Sequence, residues 1–221
     1  MKINYIVTTT STIEVSEETR QSIERNLQPG DTYNVAIFND TINEETSLNQ
    51  IISTLGDDGY IVLVNDGSIV REFASDIYAK YADLGTDDKG PMEVIKLPIV
   101  ELCTPVEKAA PHFKGFLNAS IWKPYFAENV GELDLTLATR GIDLLLYGAL
   151  IPTVIAKKHA FNTTLKYYSF FEFLSRLIRA DIPVLGIPKI TLKCIKDYEL
   201  KDVPQEEKLL HFRAAQASQS A

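Results

Sequence analysis

Cysteine, tryptophan, methionine and histidine are scarce, at two, one, two and three residues in a chain of 221. The cysteines, Cys103 and Cys194, are far apart and lack metal-ligand spacing. This excludes a disulfide framework and suits a reducing compartment. The histidines, His112, His159 and His211, have no zinc spacing. No G-x-G-x-x-G follows the first apolar run, and no Walker A sequence or G-x-S-x-G elbow occurs. Those absences lower the expectation of a dinucleotide-dependent dehydrogenase, a P-loop NTPase, a serine hydrolase or a zinc enzyme. Long apolar runs are missing too. The most apolar region, 142–156, is broken by Asp143, Gly148 and Pro152, so no transmembrane segment is expected. The amino-terminal apolar stretch is too brief for a signal peptide, and a cytoplasmic location is expected. A net charge of −8 argues against a general affinity for nucleic acid.

What is present is a series of short, nearly continuous apolar runs that end in polar turns. Ile3 to Thr8 ends in Thr8-Thr9-Thr10-Ser11, Tyr33 to Phe38 in Asn39-Asp40, and Tyr60 to Val64 in Asn65-Asp66-Gly67. Runs of this length read as strands buried on both faces, as in parallel sheets. Between them, Glu17 to Leu27, capped by Ser16, and a segment capped by Ser47 with Leu48, Ile51, Ile52 and Leu55 on one face read as helices. The first third therefore reads βαβαβ, a right-handed doubly connected unit with three parallel strands. Parallel strands put Thr8, Thr9, Asp40, Asn65 and Asp66 on one edge, where open α/β sheets bind ligands. Such a rim can hold ribose, a base edge or a divalent cation with its phosphate; the alternative is two solvated turns.

Beyond this unit, the four-residue spacing of Ile69, Phe73, Ile77 and Tyr81 predicts a helix over 69–84. A strand interrupted by Pro98 is expected within 92–102. Further expectations are a strand over 115–122, a short helix over 135–140 ended by Gly141, and strands over 142–147 and 150–155. Lys157-Lys158-His159, a compact basic cluster in an acidic chain, closes the last of these. Residues 164–180 predict a helix that is aromatic over much of its circumference. Core packing is the default reading of that helix, and peripheral membrane contact or a subunit contact the alternatives. Residues 182–195 read as an extended arm, and the tail from Gln205 as frayed.

In order and spacing these pieces resemble the GT-A glycosyltransferases, especially the family-2-like nucleotide-diphospho-sugar transferases. The resemblance rests on Ile6-Val7-Thr8-Thr9-Thr10-Ser11, Val35 to Thr41, Tyr60 to Gly67, Gly131-Glu132-Leu133-Asp134-Leu135 with Arg140 nearby, and Lys157-Lys158-His159 through Thr164. It covers roughly residues 1–180. It implies a mostly parallel central sheet flanked by helices, with 1–104 as the nucleotide-binding half, 105–180 as the acceptor and catalytic half, and 181–221 as a C-terminal extension. It also implies transfer of a sugar from a UDP-sugar to an unknown sugar or lipid-linked acceptor, assisted by Mn2+ or Mg2+ at Asp66. Thr8, Thr9, Asp40 and Asn65 would contact the donor, Lys157, Lys158 and His159 the diphosphate, and Glu132 would be the base. The metal motif carries Asn65-Asp66-Gly67 where the family has two carboxylates, and Glu132 stands where it has Asp. The alternatives are a GT-A-like protein that binds nucleotide-sugar without transferring it, and an α/β interaction domain whose Asn-Asp strand ends are only turns.

Overall fold

In the computed structural model the described residues are 1–11, 14–103, 131–132, 146–165 and 169–195. The expected strand over 115–122, the helix over 135–140, Arg140 and the tail from Gln205 lie outside them.

The first sheet is built on β1 (Ile3–Thr9), which pairs in parallel with β2 (Thr32–Ile37) on one side and β3 (Tyr60–Asn65) on the other. All of β1 is buried, which explains its unbroken run of apolar and small polar side chains. Helix α1 (Glu17–Glu24) connects β1 to β2, and α2 (Glu44–Thr54) connects β2 to β3. The chain leaves β1 in one direction and returns past it after β2. Right-handed crossovers then put α1 and α2 on opposite faces of the sheet. Helix α2 starts earlier than its sequence suggests: Asn43 is the cap, accepting from the Thr46 N–H at 2.9 Å, and Ser47 lies inside the helix. The Ser47 hydroxyl donates to the Ile37 carbonyl and ties α2 to the end of β2.

After β3 the expected long helix divides. Ile69–Val70 forms β4, and only Ala74–Ala82 is helical (α3). The four-residue spacing that predicts one helix is coincidental, because the face buried is Ala74, Ser75, Tyr78 and Ala82, whereas Phe73 is 64% exposed. Asn26 holds the break, donating to the Arg71 carbonyl at 3.2 Å and accepting from the Ser75 N–H at 3.2 Å.

A single 3-10 turn, Pro91–Glu93, precedes β5 (Ile95–Cys103), where register shifts on both sides of Ile99 follow the expected interruption at Pro98. Strand β5 runs parallel to β8 (Val184–Ile195). β8 is the segment expected as an arm, yet it is the strand on which the second sheet is built. It also pairs antiparallel with β4 and with β6 (Gly131–Glu132). Its prolines, Pro183 and Pro188, stand just before the strand and at its irregular register, so the ladder survives them.

The two sheets meet along residues 147–152. β7 (Ile151–Pro152) pairs antiparallel with β3, while Leu150 bridges to Lys96 of β5. Gly148, at φ +75°, donates to the Leu63 carbonyl at 2.8 Å and accepts from the buried Tyr78 hydroxyl at 2.9 Å. A Cβ there would come within 3.1 Å of Leu192 and Thr191, so the junction requires glycine. The segment read as a strand over 150–155 is mostly helix α4 (Thr153–Lys158), and α5 (Ser169–Arg179) buries Phe170, Phe171, Phe173, Leu174 and Leu177. The aromatic circumference of α5 is thus core. Among the described residues, no helix is long and apolar enough to cross a membrane.

Lys96 is fully buried, with its ammonium donating to the Pro91 carbonyl and lying 4.9 Å from the centre of the Tyr60 ring. Burial lowers its pKa from 10.5 to about 8. The folded state therefore binds a proton less readily than the unfolded chain, and stability should rise with pH between about 8 and 10.5. We expect Lys96→Met to raise the thermal midpoint at pH 7 by about 2–4 °C. It should also remove that rise, as read by melting between pH 7 and 9.5.

Candidate functional site

Parallel pairing brings the carboxyl ends of β1, β2 and β3 to one edge. The connection from β1 leaves toward β2, while β3 lies on its other side, so the crevice between β1 and β3 is the point where strand order reverses. Asp66 sits directly beyond β3 there, and its backbone N–H donates to the Thr8 carbonyl at 2.9 Å.

The Asp66 side chain is already engaged. Its Oδ2 accepts from the Thr9 hydroxyl at 2.8 Å; its Oδ1 accepts from the Ser16 and Gly67 N–H groups, each at 2.9 Å. Partial burial alone would raise its pKa. The hydrogen bonds from Ser16, Thr9 and Gly67 outweigh that and hold the carboxyl below its usual range. Asn65 turns inward: its Oδ1 accepts from the Ser68 hydroxyl at 2.6 Å and the Cys194 thiol at 3.0 Å. A carboxylate offers about four acceptor positions, and three of these are taken at Asp66. Divalent cations need six or more oxygen ligands, usually with further carboxylates. Among the described residues, no group of three His, Cys, Asp or Glu side chains could hold a metal ion. These residues do not by themselves fit a protein-held cation.

Two clefts flank the carboxyl ends of β1 and β2. One, of about 610 Å³, is lined by Thr10, Asn39, Asp40, Asn43, Glu44 and Thr164 among others. Asp40 is exposed on its rim. The wall formed by 161–165 is held to α2 by paired hydrogen bonds, Asn49 Nδ2 to the Phe161 carbonyl and the Phe161 N–H to Asn49 Oδ1, both 2.9 Å. Asn43 Nδ2 adds one to the Thr163 carbonyl at 2.6 Å. Deeper in, the buried Tyr147 hydroxyl donates to Glu44 Oε1 at 2.5 Å. Burial and then the Glu44 charge raise the Tyr147 pKa well above its ordinary value, so the phenol stays protonated. The second cleft, of about 490 Å³, is lined by Thr9, Ser11, Glu14, Arg20, Tyr33, Val35 and Ile37 among others. Its cation, Arg20, is bound to Glu17 and Glu24.

Asp66, Asn65, Thr8, Thr9 and Asp40 thus share the carboxyl edge. The basic cluster does not. Lys157 pairs with Asp57 at 2.7 Å, and Asp57 precedes β3, at the opposite end of the strand. Lys158 and His159 line a separate cleft of about 330 Å³ with Lys89, Glu93 and Asp181. Burial, together with Lys158 and Arg176, lowers the His159 pKa. The cause is the helix: α4 starts at the amino end of β3 and carries these residues away from the rim. Glu132 lies on β6 rather than at a helix start, opposite Leu185, whereas Val70 of β4 is opposite Leu192. Glu132 thus belongs to the second sheet, whereas Asp66 directly follows a strand of the first. Sequence reading misses Ser16, Glu44, Tyr147 and Asn49 as site-forming residues; for Asn43 and Glu44, the Asn-Glu-Glu start of α2 is the available signal.

No protein-family model matches the chain, and no curated protein matches it. Among solved structures it is similar to TarS 1–349 of S. aureus. The crystal structure in complex with UDP-GlcNAc gives a TM-score of 0.63 at 13% identity, covering 99% of this chain and 66% of that one. The UDP complex gives 0.62 at 12% identity, covering 99% and 65%. The structure described without either gives 0.59 at 11% identity, covering 88% and 60%. This chain thus spans less than two thirds of those proteins' length. At such identities the likeness establishes the fold: a GT-A-like α/β architecture, with a mostly parallel sheet flanked by helices.

We expect Asn49→Ala to cost about 1–2 kcal/mol, since it removes both hydrogen bonds holding the 161–165 wall. Chemical denaturation checks the loss, and exchange of the Phe161 amide should quicken.

Proposed function

We propose that this chain binds a UDP-sugar at the carboxyl edge of the first sheet and transfers its sugar to an acceptor hydroxyl. The observation that carries the reading is the cleft of about 610 Å³ at the ends of β1 and β2, in a GT-A-like fold. It is supported by the neighbours of that fold described in complex with UDP-GlcNAc and with UDP. Uracil presents one N–H between two carbonyls. Asp40 can accept from that N–H, and Asn39, Asn43 and Thr164 supply donors and acceptors for the carbonyls and the ribose.

A diphosphate leaving group must have its charge neutralised for transfer to proceed. A divalent cation would supply that neutralisation as a Lewis acid, but the described residues do not by themselves fit one. Lys157 and Lys158 lie away from this edge, so we expect their joint replacement by alanine to leave UDP affinity unchanged. The base that takes the acceptor's proton is a separate part of the proposal, offered by Glu132. Loss of turnover in Glu132→Gln at unchanged UDP affinity keeps it, and full turnover removes it.

The second reading is a nucleotide-sugar binder without transfer, favoured by the three protein hydrogen bonds that engage Asp66. Released UDP from a panel of UDP-sugars separates the two. For either, Asp40→Ala should weaken UDP binding about tenfold by calorimetry and move the thermal midpoint by less than about 1 °C, because Asp40 sits in an exposed turn. Unchanged affinity for UDP would remove Asp40 from the nucleotide site.

A further inference from the structure

Asp66 occupies the place where a cation is expected in this fold, and three protein hydrogen bonds already converge on its carboxylate. Its three hydrogen bonds reach three separate parts of the chain: the end of β1 at Thr9, the start of α1 at Ser16, and its own turn at Gly67. Behind it the same parts are joined again. The Ser16 hydroxyl donates to Thr19 Oγ1 at 2.8 Å, and Thr19 donates to the Ser68 carbonyl at 2.8 Å. The Gly67 N–H donates to Thr19 Oγ1 at 3.0 Å. Thr19 and Ser68 are fully buried, so water cannot replace these partners. Ser16 spends its hydroxyl on Thr19 and makes no side-chain cap on α1.

We infer that Asp66 is a positioning residue. It is a carboxylate clasp that fixes the loop between β1 and α1 against the turn after β3, and nucleotide binding at this edge needs no cation held by it. Thr9, which Asp66 holds, lines one cleft, and Thr10 lines the other. The clasp therefore sets the ridge between them. The carboxylate draws two backbone N–H groups and one hydroxyl to a point, and as a charged acceptor it holds them more strongly than a neutral one would. The inference rests on the UDP-sugar reading only where it concerns nucleotide affinity.

The chemistry of the carboxamide makes the test. Asp66→Asn keeps one side-chain oxygen for the Ser16 and Gly67 N–H groups, and the new amide can donate to Thr9 Oγ1 in a reversed hydrogen bond. The variant can therefore sustain a clasp, but a carboxamide is a poor cation ligand. The full chain is compared with Asp66→Asn and Asp66→Ala. Expected for Asp66→Ala, in EDTA, are a midpoint lower by about 5 °C and Ser16 and Gly67 amides exchanging about tenfold faster. UDP affinity should fall about tenfold in Asp66→Ala and stay within about twofold in Asp66→Asn, equally in EDTA and in Mn2+. Mn2+ alone, followed by its electron paramagnetic resonance, should show no stoichiometric binding. The inference is overturned if the unaltered protein binds one Mn2+, or binds UDP at least about tenfold more tightly in Mn2+, and both variants lose that gain equally. It is overturned as well if Asp66→Ala leaves midpoint and exchange unmoved. If UDP binds in neither condition, the donor reading fails, and the midpoint and exchange still decide the clasp.

Discussion

Because β1 pairs in parallel on both of its sides, the ends of three strands must face the same way. Nearly everything else follows from that pairing. The connections between parallel strands must cross over, so α1 and α2 cover opposite faces and β1 is buried along its whole length. Burial on both faces leaves no room for charged side chains within the strands, so polar chemistry collects at the ends. The same geometry brings Thr9 and Asp66, 57 residues apart in sequence, within hydrogen-bond distance. Each of the two clefts beside them takes one residue from the end of β1, Thr9 in one and Thr10 just beyond it in the other. β2 and α1 complete the first, and the turn after β2, the start of α2 and Thr164 with Leu165 the second.

The first sheet is legible in the sequence because its strands are short apolar runs bounded by turns. Two-sided burial produces that pattern in β1 and β3, whereas β2, expected to be buried on both faces, is a half-exposed edge strand. The second sheet is not legible in this way. In β8, Pro188 ends the apolar stretch Val184 to Ile187, and Lys189, Thr191 and Lys193 interrupt the rest, so no apolar run spans the strand, and its burial comes from partners distant in sequence. Residues 69–73 mislead for the complementary reason. Ile69 and Phe73 stand four apart as on one helix face, but Ile69 and Val70 gain ladder hydrogen bonds to β8, and Phe73 turns the chain at φ +65° into α3. Non-local pairing overrides a local pattern.

In the site, what a strand end delivers can be read, and what a loop brings back to it cannot. Asp66 and Asp40 announce themselves by following apolar runs. Ser16 does not, because its contribution is a backbone N–H, which every residue but proline carries. Asn49 looks like an ordinary polar residue of an amphipathic helix, although both ends of its amide are spent on the Phe161 backbone. The basic cluster at 157–159 follows an apolar run just as Asp66 does, but that run bends into α4 after two strand residues, at the other end of β3. Where a strand ends is easier to read from a sequence than which way it runs.

Charge sets the remaining constraint on any nucleotide held at this edge. The larger cleft carries Asp40, Glu44 and Glu45 and no lysine or arginine among its described lining residues. The smaller cleft has Arg20, but Glu17 and Glu24 already neutralise it. A nucleoside suits such a surface, since its N–H and hydroxyl groups are donors seeking acceptors. A diphosphate does not, because each of its charges would face carboxylates across a short distance. Within the described residues, therefore, the charge of this edge would suit the base and ribose of a nucleotide better than its phosphates. The two halves of a nucleotide-sugar make opposite electrostatic demands, and the acids after β2 and at the start of α2 suit only the first.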